Sequence, residues 1–176
     1  MELYRLTLVS ILSRKTFAIF AALLLSLPFV LPYMTPWESK PSLLQPARAQ
    51  MAWMLLWTSA IGWLLFQGAT IGDRWSSHGI LEYFKTLGIS RWKQMGQLWL
   101  SCFTVFAGMI LITFAISTFT AMPGDPMEAR HWVVTNLQYT LLFLLVVAPL
   151  LALSISLGTR FNGAAAYAVT IGLALY

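Results

Sequence analysis

The stretch Asp73–Gly96, DRWSSHGILEYFKTLGISRWKQMG, decides how this chain is read. It is a long polar, charged segment between two apolar runs, Met51–Gly72 and Gln97–Ala121, each long enough to cross a bilayer. A chain that only turned back into lipid would need a few residues there. Instead the segment carries its own helix signals. Gly79 suits an N-cap, and Glu82, three residues on, can reach the free N–H groups of a first turn. Ile80, Leu81, Phe84 and Leu87 fall at spacings that share one face, while Glu82 and Lys85 point elsewhere and can pair. Gly88 suits the left-handed C′ position that closes a helix, and Ser90 can cap a second helix starting at Arg91. Two readings fit: a docking element for a soluble partner, or an interfacial helix on the headgroups with Trp75, Trp92 and Trp99 as anchors.

Composition sets the class. The chain is 59% hydrophobic and 10% charged, with a mean hydropathy of +0.73, whereas a soluble domain carries roughly 25% charged residues. An integral membrane protein is expected, all-α, as a single polytopic bundle over residues 1–176. The net charge of +5 is no nucleic-acid signal, because the basic residues flank apolar runs and form no patch. The single cysteine, Cys102, sits inside an apolar run, which excludes an intrachain disulfide and a thiolate cluster.

In chain order, residues 1–15 read as an amphipathic surface helix with Tyr4, Leu8, Ile11 and Leu12 on one face. Five spans follow, at about 16–33, 51–72, 97–121, 132–157 and 164–176. The first is followed by Pro32 and Pro36 and lacks a small-residue cleavage site, so it reads as a span that stays. Met34–Gln50 reads as a proline-rich loop with Trp37 near the headgroups; Trp53 and Trp57 read as an aromatic belt. Met122–Pro126 and Gly158–Gly163 read as turns, and Pro149 as a kink in the fourth span. With alternating spans, Arg5, Arg14, Lys15, Arg74, Lys85, Arg91, Lys93 and Arg160 share one side, against Lys40, Arg48 and Arg130 on the other. This bias puts the N-terminus and the 73–96 loop in the cytoplasm and favours the docking reading.

The run Gly79-Ile-Leu-Glu82-Tyr-Phe-Lys-Thr-Leu-Gly-Ile-Ser90-Arg91, with Gly96 heading the next span, resembles the cytoplasmic loop of type-2 ABC exporter permeases. The N-terminal surface helix is similar to that family's elbow helix. The resemblance implies that this loop is the coupling helix, seated in a groove of a separate cytoplasmic ABC ATPase subunit that carries ATP and Mg. By position, Gly79, Leu81, Glu82, Ser90 and Arg91 match the family pattern; Ile80, Phe84 and Leu87 join them from periodicity. It further implies a second permease subunit, a bacterial inner membrane and a fold of six spans, so a chain ending within its fifth is expected to be part of a longer protein. Ile80 stands where a small polar residue is commoner, and Gly88 where proline is frequent.

The search for chemistry is mostly negative. No Gly-x-x-x-x-Gly-Lys-Ser/Thr phosphate loop exists, so any ATPase of that kind is a second polypeptide, and no enzymatic activity or cofactor of the chain's own is expected. His78 and His131 fall on opposite sides of the expected membrane, and Glu38, Asp125 and Glu128 are outer-loop acids. No charge lies within a span, which disfavours proton relays and ion-coupled carriers. Thr58, Gln67, Asn136 and Gln138 are the candidate lining of a translocation path; so weak a lining suits a hydrophobic or amphiphilic cargo. The expected function is export driven by the partner ATPase. The alternatives are a haem-exporter-like permease of cytochrome maturation, or a membrane scaffold or assembly factor that recruits a partner through the same loop.

Overall fold

Long apolar runs in lipid must satisfy every backbone N–H and C=O internally, and the chain does so with helices. The computed structural model describes residues 2–34 and 41–176, with side chains described outside 32–46. The described residues form α1 (Glu2–Leu12), α2 (Lys15–Met34), α3 (Pro41–Ser59), a π-helical turn (Ala60–Leu64), α4 (Leu65–Ser77), α5 (Ile80–Thr86), α6 (Arg91–Thr120), α7 (Pro126–Gly158) and α8 (Gly163–Leu175). No strand occurs among them.

Among the described residues three helical stretches are long and apolar enough to cross a membrane: Ala47–Ser77, Arg91–Thr120 and Pro126–Gly158. The segments Glu2–Leu12 and Lys15–Leu31 reach that standard together, as a pair broken at Ser13–Arg14, making up to four. Of the five expected spans, the last meets a short helix. α8 has 13 residues, about 20 Å at 1.5 Å per residue, against a hydrocarbon core of roughly 30 Å. The expected loop over Met34–Gln50 is helical from Pro41 onward, while Trp37 and Lys40 lie outside the described residues.

The ends of the helices follow from local chemistry. Asp125 caps α7, its Oδ2 accepting from the N–H groups of Met127 (3.1 Å) and Glu128 (3.0 Å), with Pro126 at the first helical position where no N–H is missed. Asn162 caps α8 through Ala165 N–H at 2.7 Å. α7 continues through Pro149 as one helical element.

The chain forms two compact units. One comprises Met1–Arg14, Ser59–Phe106 and Val146–Tyr176; the other comprises Lys15–Thr58 and Ala107–Leu145. In the first, α4 lies between the end of α7 and α8. Gly68 and Gly72 face α7: a Cβ on Gly68 would stand 3.1 Å from Leu151 Cδ1, and one on Gly72 would collide with the carbonyl oxygen of Ile155. Gly158 returns the contact, with no room for a Cβ against the Ala69 carbonyl. This is the small-residue crossing that lets membrane helices approach at backbone distance. It brings Ser154 Oγ to the Leu65 carbonyl (2.6 Å) and Ser76 Oγ to the Thr159 carbonyl (3.1 Å). α8 buries Gly163, Ala166 and Thr170 and sets Tyr167 edge-on to Phe66, while Tyr167 Oη donates to the Gly62 carbonyl within the π-turn (3.4 Å).

α1 packs in the same unit through Leu3, Thr7 and Ile11. Of the face expected from sequence, Ile11 is buried, Tyr4 and Leu8 are half-buried and Leu12 is exposed, as are Leu6 and Val9. Thr7 can be buried because its Oγ1 donates to the Leu3 carbonyl, 2.8 Å away. On α6, Gln97 Oε1 accepts from Tyr4 N–H, one of the free donors at the start of α1, and Ser101 Oγ donates a further bond to the Tyr4 carbonyl.

In the second unit, the amide of Asn136 is the centre. Its Oδ1 accepts from Trp53 Nε1 (2.9 Å) and Ser117 Oγ, its Nδ2 donates to the Trp132 carbonyl (2.9 Å), and Trp132 Nε1 donates to the Ser117 carbonyl (3.0 Å). Trp53 also stacks on Phe143 at 5.3 Å, so it bonds inward where the sequence suggested a headgroup anchor.

Replacing Gly72 by alanine is expected to lower stability by about 1–3 kcal/mol or more, because backbone has to move. At Gly62 a Cβ would have nothing within 4 Å of it, and Gly62→Ala is expected to leave stability unchanged or raise it by up to about 1 kcal/mol. Thermal unfolding of both variants in detergent, followed by size-exclusion fluorescence, checks the difference.

Candidate functional site

The polar connection between α4 and α6 holds the short helix expected between Gly79 and Gly88, with Glu82 bonded to Lys85 where a bond back to the first turn was expected. Gly79 sits at the N-cap of α5 with φ +70, and Gly88 has φ +79, both in the left-handed region open to glycine. Beyond Leu87 the chain closes with two bonds: Gly88 N–H to the Lys85 carbonyl (3.0 Å) and Ile89 N–H to the Phe84 carbonyl (3.1 Å). This 5→2 and 6→1 pair is a Schellman closure. Glu82 pairs with Lys85 at 3.4 Å, on the surface, and such exposed pairs contribute little. The Ser90 carbonyl accepts from Gln94 N–H at the start of α6. Gln94, 1% exposed, donates from Nε2 to the Ile89 carbonyl (2.8 Å) and fixes the far end of the loop.

The apolar stripe is divided by the structure. Leu81 and Phe84 are 6% and 7% exposed, packed into the protein, and Ile80 is half-buried. Leu87 is 57% exposed and Tyr83 62%, so the open apolar surface of α5 is this pair. Tyr83 was not singled out by periodicity. Trp92, 89% exposed between the exposed Arg91 and Lys93, continues an apolar and cationic surface onto α6. Gly79, Glu82 and Ser90 are also exposed.

The start of the loop is pinned as firmly as its end. His78 Nδ1–H donates to the Arg74 carbonyl (2.7 Å), and Asp73 Oδ2 accepts from Gly163 N–H (2.9 Å) at the positive end of α8. Arg14, at the break between α1 and α2, donates from Nη1 to Gln67 Oε1. Partial burial and the like charge of Arg74 both act to lower the pKa of that guanidinium, while the Cys102 group opposes them.

The four path candidates have separate fates. Gln67 and Asn136 are 3% and 2% exposed, and each is hydrogen-bonded within its own unit. Thr58 is exposed and bonds back to the Met54 carbonyl (2.9 Å). Gln138 is exposed on α7, where it lines a shallow, open depression of about 390 Å³ with Thr135, Tyr139 and Leu142. Among the described residues no group of three His, Cys, Asp or Glu could hold a metal ion.

Sequence reasoning missed Gln94, Gln97 and the inward bond of Trp99, whose Nε1 donates to the Ala148 carbonyl at 3.0 Å. It also missed the glycine crossing, although Gly68-Ala-Thr-Ile-Gly72 carries the small-x-x-x-small spacing that signals one. Comparison with protein-family models, with curated proteins and with solved structures finds no match to this chain.

Gly88→Ala is expected to strain the left-handed closure by about 1 kcal/mol. Amide hydrogen exchange of residues 80–90 should then quicken roughly fivefold, with exchange in α4 and α6 unchanged.

Proposed function

We propose that this protein is the membrane-spanning subunit of an ATP-driven exporter of the type-2 ABC class. The observation that carries this reading is α5: a short helix closed at both ends, held to the protein by Leu81 and Phe84, presenting Tyr83 and Leu87 outward. A helix whose only task was to turn the chain would need neither a rigid closure nor an open apolar pair. The partner is a cytoplasmic ABC ATPase subunit bearing ATP and Mg, with Tyr83 and Leu87 seated in its groove and Arg91 at the rim. Nucleotide-driven movement of that subunit pushes α5, and the load passes through Leu81 and Phe84 into the spans.

In this reading α1 lies on the membrane surface, the N-terminus and the 73–96 loop face the cytoplasm, and α8 belongs to a fifth span. The membrane is a bacterial inner membrane, a second permease subunit completes the path, and the cargo is hydrophobic or amphiphilic. The uncharged spans support that class of cargo.

Leu87→Asp, at an exposed position, is expected to leave thermal unfolding unchanged and to weaken copurification of an ATPase subunit from the native host about tenfold, some 1.4 kcal/mol. Phe84→Asp, at a buried one, is expected to destabilise the protein itself by about 3 kcal/mol or more. Equal ATPase recovery with wild type and Leu87→Asp would remove the docking role. Absence of any ATPase from both preparations would leave a recruiting scaffold as the better reading.

A further inference from the structure

Arg14 and Arg74 stand out as two cations in one neighbourhood with no acid assigned to them. The Arg14 guanidinium uses one N–H on Gln67, a side chain that is 3% exposed. Gln67 and Arg74 are seven residues apart on α4, two turns along one face, about 10.5 Å in rise. An Arg14 bound at Gln67 and an Arg74 extended along the same face therefore reach toward the same region, and the charge of Arg74 acts on the Arg14 guanidinium. Among the described residues no carboxylate lies within ion-pair distance of either guanidinium. The nearest acid in sequence, Asp73, turns its Oδ2 to Gly163 N–H.

Two converging guanidiniums without a counter-charge are favourable only if an anion or water takes their remaining donors. A guanidinium presents five N–H groups in a planar fork that matches phosphate oxygens. The location limits where such an anion comes from. Arg14 follows α1, whose Leu6, Val9 and Leu12 are exposed, and precedes the apolar α2. Arg74 is in the last turn of the Ala47–Ser77 stretch. On the reading proposed above, with α1 on the membrane surface, both lie where apolar helix gives way to polar chain, the level of phospholipid headgroups.

We propose that Arg14 and Arg74 form a binding site for a phosphate ester, the headgroup phosphate of an anionic phospholipid. Arg14 is the donor oriented by Gln67, and Arg74, exposed two turns further along α4, is the second donor. The site is independent of the docking of α5, since it uses none of that surface.

The full-length protein, delipidated in detergent, is titrated with phosphatidylglycerol and followed by native mass spectrometry, with and without inorganic phosphate as competitor. Loss of one charge-assisted contact corresponds to about a tenfold weakening. That weakening is expected for Arg74→Gln, whose exposed position leaves folding intact, and for Arg14→Gln. Arg91→Gln, an exposed cation elsewhere, is expected to bind as wild type does. Persistence of the lipid against inorganic phosphate supports a headgroup site; its displacement overturns that source and assigns the site to free phosphate. Wild-type affinity in Arg74→Gln, or an equal loss in Arg91→Gln, overturns the proposal, the second by showing attraction to surface charge alone. Should Arg14→Gln fail to fold, Arg74→Gln decides.

Discussion

The approach of α4 to α7 at backbone distance, through Gly68, Gly72 and Gly158, is the contact on which the first unit depends. In lipid there is no hydrophobic gain from bringing two apolar helices together, so association rests on dispersion and on interhelical hydrogen bonds. Both need proximity. With a side chain at Gly72 the helices would separate, and Ser154 Oγ would lose the Leu65 carbonyl as Ser76 Oγ lost the Thr159 carbonyl. Those donors have little else to bond in hydrocarbon. The same crossing places the α7–α8 turn where Asp73 can accept from Gly163, which orients α8. Glycine spacing thus fixes three helices at once.

The cost of an unpaired polar group in lipid also sorts the remaining polar residues. Thr113 and Thr170 return their hydroxyls to carbonyls one turn back, at 3.1 and 2.8 Å. Asn136 serves Trp53, Ser117 and the Trp132 carbonyl together, so its amide is largely used up within the protein. Tyr167 supplies the Gly62 carbonyl, in a π-turn whose ladder is shifted by one residue. Polarity inside these helices is spent chiefly on packing.

Much of this was legible in the sequence where the signal is local. The left-handed closure at Gly88, the helix between Gly79 and Gly88 and the Met122–Pro126 turn are set by residues within a few positions of one another, whereas the positive φ of Gly79 was not anticipated. The class, an all-helical chain with several apolar helices of spanning length, follows from composition. What could not be read depends on partners distant in the chain. Periodicity finds the stripe Ile80–Leu81–Phe84–Leu87 but cannot say which part faces the protein, since that is set by packing against other elements. On α1 the buried position 7 is a threonine, which a hydrophobicity pattern passes over. Asn136 finds Trp53 across 83 residues, and Gln97 finds Tyr4 across 93. The five apolar runs of the sequence meet three helices of spanning length among the described residues, or four with Glu2–Leu12 and Lys15–Leu31 taken together, and the shorter apolar helix α8.

A coupling element has to be stiff, because a segment that opens locally absorbs a push instead of passing it on. The loop around α5 meets that condition from both sides. Toward α4, the His78 side chain closes on the Arg74 carbonyl and Asp73 is held by α8. Toward α6, Gln94 closes on the Ile89 carbonyl, and Gln97 and Ser101 one and two turns on are bound to α1. Between these anchors, Leu81 and Phe84 tie the underside of α5 into the protein, while Tyr83 and Leu87 face outward. Force applied to the outward pair has no soft joint to bend before it meets α4. From there the backbone-distance crossing carries it to α7, so the residues that make the fold tight are also those that would make it a lever.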